Sequence, residues 1–352
     1  MIVEIDFSGA SMLPDSVEAQ WYSEVISFVK EWRNEHVNSF YIRTSGSTST
    51  PKEITFSRED LLKSAARTNA FFNLNSQSVF FNCLPLSHIS GMMMVVRAIV
   101  AKGKLVCVKP SSNPLMQLTP VNNVISFAAF TPMQVFEILG NENSATEFSK
   151  IENVIIGGAK VSEELINKLK GYSNNIYETY GMTETFSHIA LRKIAPEFSF
   201  YFQVMPGVEI KLGAQDNLKI RIDTSEWIET KDVVTMKDES RFSWKGRLDD
   251  VINTGGEKVF VSEIEAILSK AIVFNFYITK MEDEVVGEKV AFVTDYDVDI
   301  SFLKKIILDY LSPYQRPRIF IQLIEIKQSS LGKTQRYFST EEIIKKVNLS
   351  YS

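Results

Sequence analysis

Strand and helix patterns alternate along the first half of this 352-residue chain, and this alternation limits the possible folds most. Ser57, followed three residues later by Asp60, predicts a helix start, and Thr131-Pro132 predicts another. Strands that alternate with helices form parallel sheets covered by helices. The sequence therefore predicts an α/β fold. The predicted strands are residues 79–84, 104–108, 124–130, 153–156 and 176–179, and a helix is predicted over residues 17–37.

The pattern changes twice in the second half of the chain. After Met205-Pro206-Gly207 come short strands and turns, and near Gly246 helices and strands of a further α+β segment begin. We therefore expect two domains. Residues 1–246 should form a large domain of parallel sheets, helices and a β-rich portion, and residues 247–352 a small α+β domain.

Composition and charge exclude several classes of function. The net charge of −5 argues against a general nucleic-acid binder. The cysteines, Cys83 and Cys107, and the three histidines have no metal-ligand spacing. The N-terminus lacks a signal pattern, and the apolar run 91–101, broken by Arg97, is too short to cross a bilayer. We expect a cytoplasmic protein without membrane insertion; its oligomeric state stays open.

Residues 44–52 form a hydroxyl-rich segment, Thr-Ser-Gly-Ser-Thr-Ser-Thr-Pro-Lys. Backbone N–H groups and hydroxyls in such a loop can hold anionic oxygens, and a terminal lysine suits phosphate. The same composition is typical of a surface linker, and the segment is not a Walker A loop. The phosphate-binding candidates are Thr44, Ser45, Gly46, Ser47, Thr48 and Lys52.

A second motif, Tyr-Glu-Thr-Tyr-Gly-Met-Thr-Glu, follows a predicted strand at residues 177–184. It offers an aromatic face at Tyr180, a close-approach glycine at Gly181, a hydroxyl at Thr183 and a carboxylate at Glu184. These motifs, with Gly157-Gly158-Ala159 upstream, resemble those of the adenylate-forming superfamily, which includes acyl-CoA synthetases, luciferases and adenylation domains. The resemblance implies that Tyr180 stacks on adenine beside the glycine turn, that Thr183 contacts the α-phosphate and that Glu184 binds Mg²⁺.

The motif Gly-Arg-Leu-Asp-Asp at residues 246–250 extends the resemblance toward the C-terminus. It implies that Arg247 contacts ribose and phosphate and that Asp249 is the hinge of a mobile C-terminal domain. By the same resemblance, Gly255 and Gly256 lie beside the pantetheine tunnel. Asp232 resembles the aspartate that holds the ribose, although Lys231 replaces the usual glycine.

Two further motifs complete the implied site. Lys333 resembles the lysine that serves the adenylation step, and His88 in Pro-Leu-Ser-His resembles the histidine that borders the acyl pocket. After Glu184 the chain places Ser187, His188 and Arg192, polar or cationic groups that could hold a second carboxylate of the acyl substrate. Arg192 could equally face solvent.

The resemblance is greatest to short o-succinylbenzoate–CoA ligases of menaquinone synthesis, with an N-terminus shorter than in most relatives. It implies an acid–thiol ligase that uses ATP, Mg²⁺ and CoA to form an acyl-adenylate and then an acyl-CoA. Alternatives are another aryl- or acyl-CoA synthetase and an adenylation domain that loads a carrier protein. Ser49 and Lys231, which stand where the family usually has glycine, also leave open a non-catalytic nucleotide-binding protein.

Overall fold

The computed structural model divides the chain into two compact units, Met1–Val208 and Glu209–Ser352. This division does not coincide with the domain boundary predicted between residues 246 and 247. That boundary, at which the C-terminal domain would rotate, remains a prediction. The structure describes residues 2–9, 13, 20–44, 52–118, 124–223, 225–327 and 334–351.

The first unit is an α/β structure, as predicted. Its elements in chain order are β1 (Val3–Asp6), α1 (Gln20–Arg33), β2 (Ser39–Thr44), β3 (Lys52–Ser57), α2 (Arg58–Phe71), β4 (Val79–Asn82), α3 (Ile89–Ala101), β5 (Lys104–Cys107), β6 (Phe127–Phe130), α4 (Pro132–Leu139), α5 (Glu142–Ser149), β7 (Asn153–Ile156), α6 (Glu163–Leu169), β8 (Asn175–Met182), β9 (Ser187–Ala195) and β10 (Phe202–Val204).

Eight of these strands lie side by side in the order β1, β5, β4, β6, β7, β8, β9, β10. The five strands from β5 to β8 are parallel, whereas β1, β9 and β10 pair antiparallel with their neighbours. The parallel strands carry large side chains that are completely buried, among them Phe80, Phe81 and Phe127. Parallel strands buried on both faces read as apolar runs, which is why the sequence predicted them.

Local capping explains where the helices begin. Ser57 Oγ accepts a hydrogen bond from the Asp60 amide at 3.0 Å, as the sequence predicted. Thr131 and Gln134 form a reciprocal capping box at the start of α4. The helix predicted over residues 17–37 is present as α1, which ends at Arg33.

Helix α3 is buried on nearly every side, which is typical of a helix inside a core. It packs against α2 and against β4, β5 and β9. No helix in the described part of the chain combines the length and apolarity needed to span a membrane.

The second unit contains two groups of strands. Its elements are β11 (Val208–Leu212), β12 (Asn217–Ile222), β13 (Ile228–Asp238), β14 (Arg241–Arg247), β15 (Val251–Thr254), β16 (Glu257–Phe260), α7 (Val261–Leu268), β17 (Phe276–Asp283), β18 (Gly287–Thr294), α8 (Ile300–Tyr310), β19 (Ile319–Leu323) and β20 (Ile343–Asn348). Strands β14, β13, β12 and β11 lie side by side, and β15 to β20 form a six-stranded sheet. Apolar residues of α7 and α8 share one core with this sheet, including Ile264, Leu303 and Phe292.

Candidate active site

The predicted nucleotide motifs lie at the carboxyl ends of two neighbouring parallel strands. Strand β7 ends at Ile156, directly before Gly157, and pairs there with Glu178 of β8. Strand β8 continues through Tyr180 and Gly181 to Met182. Ligands of open α/β sheets bind at this edge, beyond the carboxyl ends of the strands. The fold therefore brings the glycine turn and the Tyr-Gly-Met-Thr-Glu motif to one edge of the sheet.

Close packing explains the glycines at this edge. A Cβ atom on Gly157 would lie 2.1 Å from Thr179 Oγ1, and one on Gly181 would lie 2.2 Å from the carbonyl oxygen of Ser187. Gly158 instead has a φ of +84°, with nothing within 4 Å of the position that a Cβ atom would occupy. Only glycine adopts this conformation without strain, and it leaves the backbone open to a ligand.

The turn between β8 and β9 is strained. Phe186 has a φ of 61° and Ser187 a φ of 141°, conformations that cost non-glycine residues about 1–3 kcal/mol each. Thr185 holds the turn, because its Oγ1 donates to the Ser187 carbonyl oxygen at 2.8 Å and accepts from the Met182 amide at 3.0 Å. Strain of this kind is concentrated at functional sites.

Glu184 lies in the short 3₁₀ turn Thr183–Thr185 and is exposed. Among the described residues, no hydrogen bond or ion pair involves its carboxylate. Tyr180 is half-buried on β8, and its ring meets Phe202 edge-on with centroids 5.9 Å apart. The strand end thus offers a carboxylate that is free to bind a cation and an aromatic ring with a fixed orientation.

Arg192, predicted to line the acyl pocket, has a different partner. It lies opposite Glu178 in the β8–β9 register, and its Nη2 pairs with Glu178 Oε2. Glu178 Oε1 accepts from the Val161 amide at 3.0 Å. The ion pair therefore braces the loop that follows the glycine turn. In the described structure no hydrogen bond joins Arg192 to Ser187 or His188, and only 17% of its side chain is exposed.

Arg97 takes the place beside Ser187 and His188 that the sequence had suggested for Arg192. Its Nη2 donates to Ser187 Oγ at 2.7 Å and lies 3.5 Å from His188 Nδ1. On the other side of the ring, His188 Nε2 lies 3.3 Å from Thr68 Oγ1 of α2. This Arg97 cluster, consisting of Arg97, Ser187, His188 and Thr68, joins α2, α3 and the start of β9.

The charge of Arg97 lacks an anionic partner within the described part of the chain. Its side chain is 1% exposed, and its Nε atom has no hydrogen-bond acceptor. Burial lowers the pKa of the Arg97 guanidinium to about 9, so the group stays cationic at neutral pH. Burial, followed by the charges of Arg97 and Arg67, holds the pKa of His188 well below its usual value. The cluster therefore carries one positive charge in a buried environment.

His88 precedes α3 at its N-terminus and is half-buried. Burial lowers the pKa of its imidazole, which favours the neutral ring. The turn before α3 is tight, because a Cβ atom on Gly91 would lie 2.2 Å from the Pro85 carbonyl oxygen. His88 therefore lies at the start of the helix that carries Arg97.

In the second unit, Asp232 and Arg247 are brought together as register partners on β13 and β14. Arg247 Nη1 lies 3.6 Å from Asp232 Oδ1, which also accepts from Trp244 Nε1 at 3.1 Å. Lys231 Nζ contacts both carboxylate oxygens of Asp249 at 3.0 Å. The lysine at the position of the family's glycine is therefore paired with the predicted hinge residue.

Gly255 and Gly256 connect β15 and β16 as a two-residue hairpin loop, with φ values of +58° and +85°. These values match a type I′ turn, which needs positive φ at both positions and so accounts for the two glycines. Thr44 and Lys52 are register partners at one end of the antiparallel pair β2 and β3. The predicted site residues Ser45, Gly46, Ser47, Thr48 and Lys333 lie outside the described residues.

Sequence reasoning missed Arg97 and Thr68 as members of the cluster. The sequence did contain a sign that Arg97 is functional, because it is the one charged residue in the apolar run 91–101. Charged residues are almost never fully buried without a partner, so an arginine in such a helix is a candidate for a functional site. Thr68 gave no comparable signal.

Comparison with known proteins identifies the family of this chain and proteins of similar sequence. The model of the family described as AMP-binding enzyme matches residues 4–222. The 2-succinylbenzoate–CoA ligase of Staphylococcus epidermidis is 24% identical over 321 residues, covering 83% of this chain and 67% of that protein. The 3,4-dihydroxybenzoate–[aryl-carrier protein] ligase of Bacillus anthracis is 25% identical over 307 residues, covering 83% and 71%.

Two solved structures share the fold. An acyl-CoA synthetase (AMP-forming)/AMP-acid ligase II-like protein from Dyadobacter fermentans has a TM-score of 0.66 at 27% identity, covering 96% of this chain and 98% of that one. The O-succinylbenzoate coenzyme A synthetase of Bacillus subtilis, in complex with ATP and a magnesium ion, has a TM-score of 0.70 at 19% identity, covering 83% and 68%. The α/β fold is therefore that of adenylate-forming enzymes.

Proposed function

The chain belongs to the AMP-binding enzyme family, and we propose that it is an ATP-dependent acid–CoA ligase. In the first half-reaction, a carboxylate oxygen of the substrate attacks the α-phosphorus of ATP, and pyrophosphate leaves. In the second, the thiol of CoA attacks the acyl carbon, AMP leaves and the thioester forms. Neither step requires a covalent bond to the protein, so its residues act by positioning substrates and by stabilising charge.

The strand-end site fits the nucleotide part of this proposal. Gly158 leaves its backbone open to a ligand, and Tyr180 presents a ring on the adjacent strand. In the second unit, Asp232 and Arg247 form the pair proposed to bind ribose and phosphate. The hydroxyl of Thr183 and the segment 44–52 would bind phosphate oxygens.

Glu184 would hold Mg²⁺, which would neutralise phosphate charge. The described residues contain no cluster of three or more His, Cys, Asp or Glu side chains able to hold a metal ion. A single carboxylate, that of Glu184, fits Mg²⁺, because this ion is usually bound by one or two carboxylates together with substrate phosphates and water. The exposed carboxylate of Glu184 meets that requirement without a preformed cage.

The Arg97 cluster supports a more specific substrate. A buried charge without a partner is costly, and a carboxylate of the ligand would offset that cost. The activated carboxylate reacts with ATP, and we infer that the carboxylate at Arg97 is a second one. We infer that the substrate is a dicarboxylate, and 2-succinylbenzoate, the acid named for the relative in Staphylococcus epidermidis, is the candidate. The unpaired charge of Arg97 is the observation that carries this choice.

Loading of an aryl-carrier protein is the alternative suggested by the relative in Bacillus anthracis. A dihydroxybenzoate carries a single carboxylate, which would leave the charge of Arg97 without a partner. The alternative also predicts a protein acceptor in place of free CoA.

A screen of carboxylic acids by ATP–pyrophosphate exchange tests the proposal. We expect exchange with 2-succinylbenzoate, and the release of AMP with thioester formation when CoA is added. Exchange that favours benzoates or fatty acids would refute the dicarboxylate. Exchange without CoA-dependent turnover would favour the carrier-protein ligase, and no exchange with any acid would refute the ligase itself.

A further inference from the structure

His188 lies between two fixed partners, and their chemistry determines which of its nitrogens carries the proton. Nδ1 faces Arg97 Nη2 and Ser187 Oγ, each at 3.5 Å. Arginine can only donate, so the nitrogen that faces it must present a lone pair. Nε2 faces Thr68 Oγ1 at 3.3 Å. The neutral ring therefore carries its proton on Nε2.

Thr68 supports the same assignment from the other side. Its hydroxyl donates to the carbonyl oxygen of Ser64, one turn earlier on α2, at 3.2 Å. The oxygen lone pairs of Thr68 are then left to accept the proton on His188 Nε2. A chain of hydrogen bonds runs from the α2 backbone through Thr68 and His188 to Arg97, and each donor in it meets an acceptor.

We propose that His188 is a positioning residue that sets the orientation of Arg97 for the anionic end of the acyl substrate, an inference that rests on the proposed function. A neutral imidazole gives the guanidinium a hydrogen-bond acceptor and leaves its charge unchanged. A carboxylate in the same place would neutralise that charge. Arg97 therefore keeps its whole charge for the substrate. The charged groups facing His188 are Arg97 from α3 and Arg67 from α2, and both disfavour a second proton on the ring.

The backbone around His188 supports a positioning role. Ser187, the residue before it, is held at a φ of 141°, and Ser64 Oγ lies 3.4 Å from the carbonyl oxygen of Phe186. Helix α2 thus contacts the strained turn at Ser64 and the imidazole at Thr68, one helical turn apart. Replacing the imidazole by an apolar group would leave Arg97 Nη2 with Ser187 alone as acceptor.

The test compares two substrates in the full-length protein. One is 2-succinylbenzoate, and the other is 4-oxo-4-phenylbutanoate, which lacks only the ring carboxylate. For His188→Leu we expect kcat/KM with the dicarboxylate to fall about tenfold, mostly through KM, and to change less than about threefold with the monocarboxylate. His188→Gln keeps an amide oxygen for Arg97 and an amide donor for Thr68. It should therefore retain most of the wild-type preference for the dicarboxylate over the monocarboxylate.

A second measurement is independent of activity. The chain has three histidines, so the NMR spectrum of protein labelled with ¹⁵N-histidine contains three pairs of imidazole nitrogen signals. The pair that is missing in His188→Gln belongs to His188. We expect a neutral ring at pH 7 with the proton on Nε2, and a change of that signal in Thr68→Val. His36→Gln, at an exposed loop position, is the matched control and should leave both readouts unchanged.

The outcomes separate this inference from the proposed function. A ring protonated on Nδ1, or an imidazolium at pH 7, would overturn the inference. So would an equal loss with both substrates in His188→Leu, which would indicate a structural role. If no acid is activated by the wild-type protein, the ligase proposal fails, and the positioning role fails with it even where the tautomer is as expected.

Discussion

The guanidinium of Arg97 donates a hydrogen bond to the hydroxyl of Ser187 across 2.7 Å, although the two residues are 90 positions apart in sequence. Two costly features meet in this contact. Arg97 is a buried charge without an anionic partner in the described structure, and Ser187 is a non-glycine residue with a positive φ. Neither feature stabilises the fold, and the binding of the substrate carboxylate that we propose at Arg97 would account for their coincidence.

The first prediction concerns stability and activity at position 97. Arg97→Met removes a buried charge and keeps a similar shape, so the free energy of unfolding should stay the same or rise by about 1–2 kcal/mol. The same substitution should lower kcat/KM for 2-succinylbenzoate by about 10- to 100-fold, since a charge-assisted hydrogen bond contributes about 1.5–3 kcal/mol. Urea denaturation and steady-state kinetics measure the two effects.

Arg192→Met is the matched control for that prediction. Arg192 is paired with the carboxylate of Glu178, whose side chain is only 5% exposed. Its removal leaves Glu178 unpaired and should destabilise the protein by about 3–5 kcal/mol. A loss of more than about 2 kcal/mol in Arg97→Met would indicate that Arg97 is structural as well.

The contrast between Arg97 and Arg192 shows what sequence could predict. The sequence predicted that the motif at residues 177–184 follows a strand, and β8 carries this motif as far as Met182. The partner of Arg192 depends on the register of β8 and β9, which shifts between Tyr180 and Gly181. Such an irregularity is fixed by tertiary packing and leaves no periodic signal in the sequence. The α/β class was accessible because it depends only on the order of the elements.

The second prediction concerns the glycine turn after β7. In Gly157→Ala the new Cβ would lie 2.1 Å from Thr179 Oγ1, which itself lies 3.3 Å from the Ile156 carbonyl oxygen. We expect a loss of about 1–3 kcal/mol in unfolding free energy and weaker binding of ATP. The double variant Gly157→Ala/Thr179→Ala should recover part of that loss, because the clashing atom is gone. Additive losses in thermal denaturation would contradict the clash.

The third prediction concerns pH. The pKa of His188 is held below its usual value in the folded protein, so the unfolded chain binds more protons as the pH falls below about 6.5. The stability that the neutral ring provides is present above that pH and is lost as the pH falls toward the folded pKa. Unfolding free energies at pH 7.5 and pH 5.5 should differ more in the wild type than in His188→Gln. His88, whose pKa is also lowered by burial, should leave part of the dependence in place.

The last prediction concerns Lys333, for which the sequence alone provides the argument. By resemblance Lys333 serves only the adenylation step, and a rotation about Asp249 would then remove it from the site. We expect Lys333→Ala to lower ATP–pyrophosphate exchange by about 10²- to 10³-fold, the usual cost of losing one group that stabilises a transition-state charge. Thioester formation from a supplied acyl-adenylate and CoA should change little, because the phosphates have already left. Lys327→Ala is the matched control, since Lys327 pairs with Glu342 in the structure and should affect neither half-reaction. An equal loss in both half-reactions would mean that Lys333 is structural, or that the C-terminal domain does not rotate between the two steps.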